Sequence, residues 1–483
     1  MSLLFGADRG ERKRERPLHT RRLIAWSGLA LTGLFLILSF LSDHFTPETQ
    51  LKERPVLLLV LILTLSGALY IFTVFRALNS FSAGSMLGFM LFIGLALRLA
   101  MFFSTPMLED DYFRYMWDGA VTANGINPYK YSPEQVIQNR DVPEELSRLA
   151  GESGDVIHRI NHPHIRSIYP PVTQALFSLS YIIKPWSLLP WRSVLLAFDI
   201  AALVLILYSL NLMRLPLIYA MIYWWNPLFV KEIYNSGHFD VLVLPFALGG
   251  VMLASTAKYT GSIMSLAAGI GMKLWPVFLI PLVLRPILTS PGKILRALLV
   301  LIVFLTALFL PLYLSGPDES SGLIAYGGSW ENNDSIFRIL IFISDLSLGV
   351  LGFETYHKYA LARVVAASLT VLWIAYISYR KPGGTDFFKR SLYIVAFVFL
   401  ISPTEFPWYY TWLLPFLTLQ PRFSLLALTA LLPLYYLRYY LEPRGGLDIF
   451  TNFIVWLEFA PVWVLLFLEW KRGRREFIGS RFL

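Results

Sequence analysis

The stretch MLGFMLFIGLALRLAMFFSTPMLEDDYFRYMWDGAVTANGINPY (residues 86–129) sets the terms for the rest of the chain. Residues 86–103 form an apolar run long enough to read as a membrane helix, interrupted only by Arg98. Three consecutive carboxylates, Glu109, Asp110 and Asp111, follow it. Acids at a membrane surface are costly unless they are solvated, paired or used. Next come the aromatics Tyr112, Tyr115 and Trp117, and then Gly125-Ile126-Asn127-Pro128-Tyr129. That segment reads as a turn, because Gly and Pro punctuate the chain and Asn tolerates turn geometry. The result is an acidic cluster at a helix mouth, with a scaffold of apolar helices to hold it.

Composition agrees with such a scaffold. Of 483 residues, 56% are hydrophobic and 15% charged, against about 25% charged in a soluble domain. Mean hydropathy is +0.57. Apolar runs of roughly 18 residues or more recur along the whole length, which predicts a polytopic helical membrane protein. The net charge of +9 is no sign of nucleic-acid binding. Basic residues gather at the termini and in short loops, as positive-inside orientation requires. There is no cysteine, hence no disulfide framework and no thiolate chemistry. No Walker-type loop or Gly-rich nucleotide fingerprint is present.

The chain divides into a basic cytoplasmic N-terminus (1–22), one transmembrane domain (23–470) and a basic cytoplasmic tail (471–483). The apolar run after the N-terminus is too long for a signal-peptide core and reads as a retained first span. Spans at 23–41, 56–75 and 84–103 bring the chain to an outer loop at 104–171. This loop holds ten Asp or Glu against six Lys or Arg, and an outer loop needs no basic surplus. Residues 172–189 are expected to lie at the interface or to re-enter, with 193–212 spanning. Segments 216–230 and 241–254 flank a short outer turn. Lys273, Pro276 and Pro281 split 263–284 into two short helices with a break near the lysine, a geometry tolerated where it lines a cavity. Further spans are expected at 298–314, 360–379, 391–401, 410–419, 423–440 and 450–470. Outer segments lie at 315–359, with an interfacial helix at 336–351, and at 402–409. By this count the polar clusters fall on the outer face and both termini inside, with about twelve spans plus a short hairpin.

The acids come first among the chemical candidates. A carboxylate shielded by Tyr112, Tyr115 and Trp117 suits a general base for a hydroxyl acceptor; a solvated rim is the bland reading. Glu109 and Asp111, two residues apart, would project to one side of an extended turn. They leave room for a divalent cation such as Mg or Mn, on weak grounds. His238 and Asp240 can cap a helix start or line a site. Lys273, at membrane depth, needs a partner, a water-filled cavity or a ligand, and a lipid phosphate is a natural one. Arg114 offers a second cation. Tyr169, Trp330 (within 326–335) and Glu405 (within 402–409) are substrate-binding candidates on the same face. His162 and His164 flank Pro163 as a weak metal signal.

The order of these motifs resembles a family. Acid-x-acid-Tyr, Gly125-Ile126-Asn127-Pro128-Tyr129, Tyr169-Pro170-Pro171 and Trp225-Asn226-Pro227 come first. Gly237-His238-Phe239-Asp240, Met272-Lys273-Leu274-Trp275-Pro276 and the stretch Ser402-Pro403 to Trp408-Tyr409 follow. The chain is similar over about 106–415 to the GT-C superfamily of integral-membrane glycosyltransferases. It most resembles the bacterial polyprenol-phosphate-mannose-dependent mannosyltransferases and, more remotely, the catalytic subunit of GPI mannosyltransferase I. The resemblance implies a GT-C-like bundle of about 12–14 transmembrane helices with outer-face loops and interfacial helices. It also implies a polyprenyl-phosphate-sugar donor, an outer-face site and an inverting mechanism with one base. The family's acidic motif falls on Glu109 and Asp111, with Asp111 as the base and Lys273 near the donor phosphate. Glu109 stands where Asp is common, and Asp110 is extra, so any of the three acids can fill the role.

The expected activity is transfer of a hexose, mannose above all, to a hydroxyl of a glycan or lipid-linked acceptor. It would take place outside the cytoplasm, in a bacterial inner (plasma) membrane. Membrane lipid is a further partner, and nucleic acid is not. The competing class is a transporter or flippase of a lipid-linked sugar, in which buried charges line a path.

Overall fold

The structure is a computed structural model. It describes residues 17–78, 86–316, 318 and 321–479, with side chains for all of these except 17, 18, 323, 329, 355 and 473–479. Of the basic stretch 9–22, residues 9–16 lie outside the described residues, as do residues 79–83 of the cytoplasmic turn expected at 76–83.

The chain is an all-α polytopic membrane protein. Among the described residues six helices are long and apolar enough to cross a membrane: His19–Phe45, Val56–Leu78, Leu188–Leu212, Pro291–Tyr313, Lys358–Tyr379 and Leu447–Arg472. A seventh span results if Pro227–Asn235 and Phe239–Ser255, bent by 106° at their junction, count as one. Other apolar segments are short, such as Leu87–Phe102, Pro171–Ile183 and Trp275–Ile287. The principal helices are α1 (Pro17–Leu41), α2 (Val56–Leu78), α3 (Leu87–Phe102), α4 (Asp111–Ala123), α5 (Pro171–Ile183) and α6 (Leu188–Leu212). They continue with α7 (Leu244–Ser255), α8 (Tyr259–Ile270), α9 (Pro291–Tyr313), α10 (Ile336–Leu351), α11 (Lys358–Tyr379) and α12 (Asp386–Ile401). The last two are α13 (Phe423–Leu431) and α14 (Val455–Gly479).

Where the helices face outward they are apolar. Phe40, Val303, Leu299, Phe342 and Val371 are exposed. Such surfaces are stable only against lipid or another apolar partner. Inside, one continuous apolar core runs from α1 to α14. A second, smaller core lies under the 104–171 loop. Trp117 and Val121 of α4 pack there with Val136, Leu146, Leu149 and Ile157. The long loop is thus a folded cap with its own hydrophobic centre. Ser132 opens its short helix Pro133–Ile137 with a reciprocal capping box to Gln135. Helix α4 lies directly on α5. Gly119 permits this, because a Cβ there would sit 2.5 Å from the Phe177 carbonyl oxygen.

Several boundaries move from expectation. The span expected at 193–212 starts earlier, and Pro190 falls inside it. The proline sits in the first turn of α6, which begins at Leu188, where proline is tolerated. Segments 216–230 and 423–440 are not continuous spans. The first is a series of short turns that leads into a π-helical turn, Lys231–Asn235; the second tightens after Leu431 into a 3-10 turn, Leu432–Tyr436, around Pro433. The break expected near Lys273 is present between Ile270 and Trp275, and α10 spans Ile336–Leu351.

Arg98, the one charge in the opening apolar run, is fully buried. Its Nε donates to Asp199 of α6 at 2.5 Å, and its Nη1 donates to the carbonyl oxygens of Gly94 and Trp224. Tyr223 and Tyr234 donate their hydroxyls to Asp199. Removing one partner of such a pair leaves an uncompensated charge in a dry interior. Asp199→Ala is therefore expected to destabilise the protein by about 3–5 kcal/mol, seen as a lower midpoint of unfolding in detergent. A midpoint equal to the parent's would show that Arg98 finds its counter-charge elsewhere.

Candidate functional site

The strand of chain between α3 and α4 is fixed from outside. Arg192 donates to the carbonyl oxygens of Phe102, Ser104 and Asn235. The Asn235 side chain accepts from the Met107 amide and donates to Ser104 Oγ and the Thr105 carbonyl. Leu108 is held at φ 71°, an uncommon conformation for a branched side chain. Backbone strain of this kind persists only where the surroundings enforce it, and it often marks functional segments. Glu109 follows at once.

A cavity of about 740 Å³ opens here. Glu109, Asp110, Asp111, Asn161, His162 and Trp330 line it. Lys273, Arg363, Arg438 and Tyr409 contribute polar wall. Apolar wall comes from Leu274 in the break, Phe278 after it, Ala366 and Ala367 of α11, and Val398 and Ile401 of α12; Tyr326, Thr370 and Thr404 are among the other polar lining residues. One space thus joins a carboxylate-rich mouth to an apolar wall on membrane helices.

The three acids differ in surroundings. Glu109 is buried and accepts a hydrogen bond from the Tyr439 hydroxyl at 3.1 Å. Burial pushes its carboxyl up to about 7; the negative Glu232 and Asp111 add to this, while Lys231 and His238 oppose it. Asp110 opens to the cavity mouth, yet the low-dielectric walls and the adjacent Asp111 charge push it up to about 6. Asp111 is the first residue of α4 and is partly exposed to the cavity, where the free N–H groups of the helix start favour a negative charge. Asn161 Nδ2 donates to both Asp110 (2.7 Å) and Asp111 (2.9 Å). Asp111 Oδ2 faces the Tyr115 hydroxyl at 3.5 Å and His238 Nε2 at 3.9 Å. The expectation that Glu109 and Asp111 project together is corrected: the helix starts at Asp111 and turns its carboxylate to the cavity, while Glu109 goes into the wall.

Lys273 lies at the broken helix with its ammonium 2.5 Å from Asp240 Oδ1 and over the rings of Phe239 and Tyr409. Trp412 Nε1 donates to the same oxygen of Asp240. The capping reading of His238 and Asp240 is overturned. Neither side chain caps the short helix Phe239–Val243; His238 Nδ1 pairs with Glu232 at 3.0 Å instead, and Asp240 pairs with Lys273. Gly237, at φ 80°, makes the turn that sends His238 back toward Glu232. Tyr169 lines the cavity, and its carbonyl accepts from the Tyr129 hydroxyl of the Asn-Pro-Tyr turn.

Two expected residues serve elsewhere. Arg114 touches the cavity, but its guanidinium is taken by Asp118 (2.8 Å) and the Ile165 carbonyl, which fixes the 165–167 segment. Glu405 does not reach the cavity. It is buried, accepts from the Ser335 hydroxyl and amide, and burial holds its carboxyl well above the usual range. It fastens the 332–335 segment to the 402–409 turn, which also share backbone hydrogen bonds. His162 lines the cavity against Trp330, and His164 does not. Asp110 and Asp111 could offer oxygens to a hard cation. Among the described residues no group of three or more His, Cys, Asp or Glu gathers as a metal cage.

Asn161, Glu232, Arg363, Arg438 and Tyr439 were not singled out from sequence. Asn161 stands next to a His-Pro-His run that drew attention to the imidazoles. Glu232 sits at the end of an apolar segment, where a Lys-Glu pair reads as a solvated rim. Comparison with protein-family models, with curated proteins and with solved structures gives no match.

The buried Glu109 yields a signed pH dependence. Its folded value of about 7 lies above its ordinary 4.5, so between these values the folded protein holds a proton that the unfolded chain releases. Stability from this group falls as pH rises through that window and levels off above about 7. Glu109→Gln keeps an acceptor for Tyr439 and removes the titration. It is expected to gain on the parent between about pH 4.5 and 7, by on the order of 3 kcal/mol in all, and to hold that gain above. Parallel pH–unfolding curves for the two proteins would refute the assignment.

Proposed function

We propose that this chain is a glycosyltransferase that moves a hexose, mannose first among the choices, from a polyprenyl-phosphate carrier to an acceptor hydroxyl of a glycan or lipid-linked glycan. The reading has the site on the non-cytoplasmic face of a bacterial inner membrane and both termini in the cytoplasm. It rests on one observation: a single cavity holds a partly exposed carboxylate, a lysine at a broken helix and an apolar wall along α11 and α12. An amphiphile whose anionic group sits between a sugar and a hydrocarbon chain could use all three. Interrupted helices at membrane depth suit a substrate that must leave the lipid to react.

The chemistry follows from positions. Asp111 takes the proton of the acceptor hydroxyl. The oxygen so freed attacks the anomeric carbon on the face opposite the phosphate, which inverts the configuration. The bond from that carbon to the phosphate oxygen breaks, and its electron pair leaves with the polyprenyl phosphate. Lys273 offsets the charge that builds there, an interaction that strengthens as the bond breaks. Asn161 keeps Asp111 oriented, and Trp330 and Tyr169 offer flat apolar faces to a sugar ring.

The test is sugar transfer by purified protein from polyprenyl-phosphate-mannose to a panel of hydroxyl acceptors. Asp111→Asn is expected to lose about 10²–10⁴-fold in turnover. Lys273→Met is expected to lose turnover as well, because it acts on the leaving group. Near-parental turnover in Asp111→Asn, with Glu109→Gln or Asp110→Asn inactive, would move the base. Silence from every polyprenyl-phosphate sugar across the panel would overturn the reading.

A further inference from the structure

Behind Asp111 lies a run of buried ionisable groups that the transfer step as written does not use. His238 is 1% exposed and Glu232 fully buried. Glu232 belongs to the π-helical turn Lys231–Asn235, a local irregularity that recurs at functional sites. Its carboxylate is met by the Lys231 ammonium at 3.4 Å and by the Tyr436 hydroxyl, and it faces His238 Nδ1 at 3.0 Å. The imidazole is stacked on Trp408 with ring centres 4.0 Å apart. The His238 amide also donates to the Glu232 carbonyl, so backbone and ring are both tied to one residue.

The other ring nitrogen is different. Nε2 of His238 is buried, has no hydrogen-bond partner among the described residues, and stands 3.9 Å from Asp111 Oδ2. Leaving a buried ring nitrogen unpaired is costly, and structural histidines are normally satisfied at both positions. Asp111 is held at its other oxygen by Asn161, so a small rotation of the carboxylate closes the gap. Hydrogen bonds of this kind are often long before substrate binds.

We infer that Asp111 and His238 form one base sharing a single proton, with Glu232 as the counter-charge that holds the imidazolium. The inference rests on the transfer reading above and adds a positioning residue and a proton path to it. The acceptor O–H bond breaks toward Asp111 Oδ2. As the new sugar–oxygen bond forms and the bond to phosphate breaks, the proton passes to Nε2 of neutral His238. Asp111 is then negative again beside the positive character developing at the anomeric carbon. His238 ends as an imidazolium between Asp111 and Glu232, and it releases the proton after product departs. The charged groups around the ring are consistent with this. Glu232, Asp111 and the buried Glu109 are negative or acidic, and Lys231 lies on the far side of Glu232.

Two measurements decide it. The first is the histidine ¹⁵N resonance of the substrate-free protein in nanodiscs, with the His238 signal identified by its loss in His238→Gln. Asp111→Asn and Glu232→Gln should each lower the pH at which that ring titrates, because each removes an anion facing one of its nitrogens. No change in Asp111→Asn overturns the shared proton. The second is the pH profile of transfer. His238→Gln should lower kcat about ten- to a hundred-fold, leave the donor KM close to the parent's, and move the acid limb of the profile to lower pH, because a lone carboxylate then serves as base. A lower kcat with the acid limb unmoved, in protein of parental thermal stability, means that His238 only packs, and overturns the inference. A coupled His238 signal in protein silent with every sugar donor supports the shared proton and removes the glycosyl-transfer reading instead.

Discussion

Burying Arg98 and Asp199 against each other constrains everything that follows in this fold. A guanidinium and a carboxylate taken out of water recover their hydration only if each finds several fixed partners. Here the partners come from three parts of the chain: the α3 backbone at Gly94, α6 through Asp199, and the 223–234 segment through Tyr223, Trp224 and Tyr234. Helix α3 leads into Glu109–Asp111, and the 223–234 segment carries Glu232 and leads into His238. One satisfied ion pair therefore sets the relative height of the two arms that meet at the site. Arg192 repeats the device one layer nearer the cavity, tying the end of α3 to Asn235.

Elsewhere the site is made of charges that are neutralised in pairs and turned so that one face stays available. Lys273 is neutralised by Asp240 and sheltered by aromatic rings, yet its side chain keeps 14% of its surface open to the cavity. Arg363 pairs with Glu331 and Arg438 with Glu442, and both still line the wall. Such pairing lowers the cost of holding cations in a dry environment before an anion arrives. Glu109 meets the same problem differently. Without a cation in direct contact it keeps its proton to about pH 7. The neighbouring Asp110 is pushed up less, to about 6, by burial and the Asp111 charge.

The all-helical membrane class was legible because hydropathy and loop charge are local properties of sequence. So was the break at Lys273, since a lysine and two prolines in an apolar run leave few alternatives. The polar clusters at 109–129, 161–171, 235–240, 326–335 and 402–409 were visible as clusters, and the structure draws them around one cavity. Their internal division of labour was not visible. Glu405 looked like a site acid because anchoring needs no carboxylate, but Ser335, 70 residues away, takes it into the protein interior. Glu232 carried no local signal, since the hydroxyl that holds it, that of Tyr436, lies 204 residues on. Hydrogen bonds of that separation leave no periodicity behind.

The irregular helices and the site are one feature. A continuous helix satisfies its own backbone and presents side chains at a fixed pitch; it cannot aim several polar groups at one point within the apolar layer. In this chain the turns that break the helices carry the polar groups: Leu108 before Glu109, Gly237 before His238, and the gap between Ile270 and Trp275 around Lys273. At the Lys273 break freed backbone groups are taken up by a neighbouring segment: the Gly271 carbonyl accepts from the Val172 amide and the Met272 carbonyl from Thr173 Oγ1. Helix α9, which buries little of its length, contributes nothing to the cavity, whereas the unbroken α11 supplies Arg363, Ala366 and Ala367 to its wall. The cavity is thus shared between straight helices, α11 and α12, that supply apolar wall, and broken segments that supply Glu109, Asp111 and Lys273.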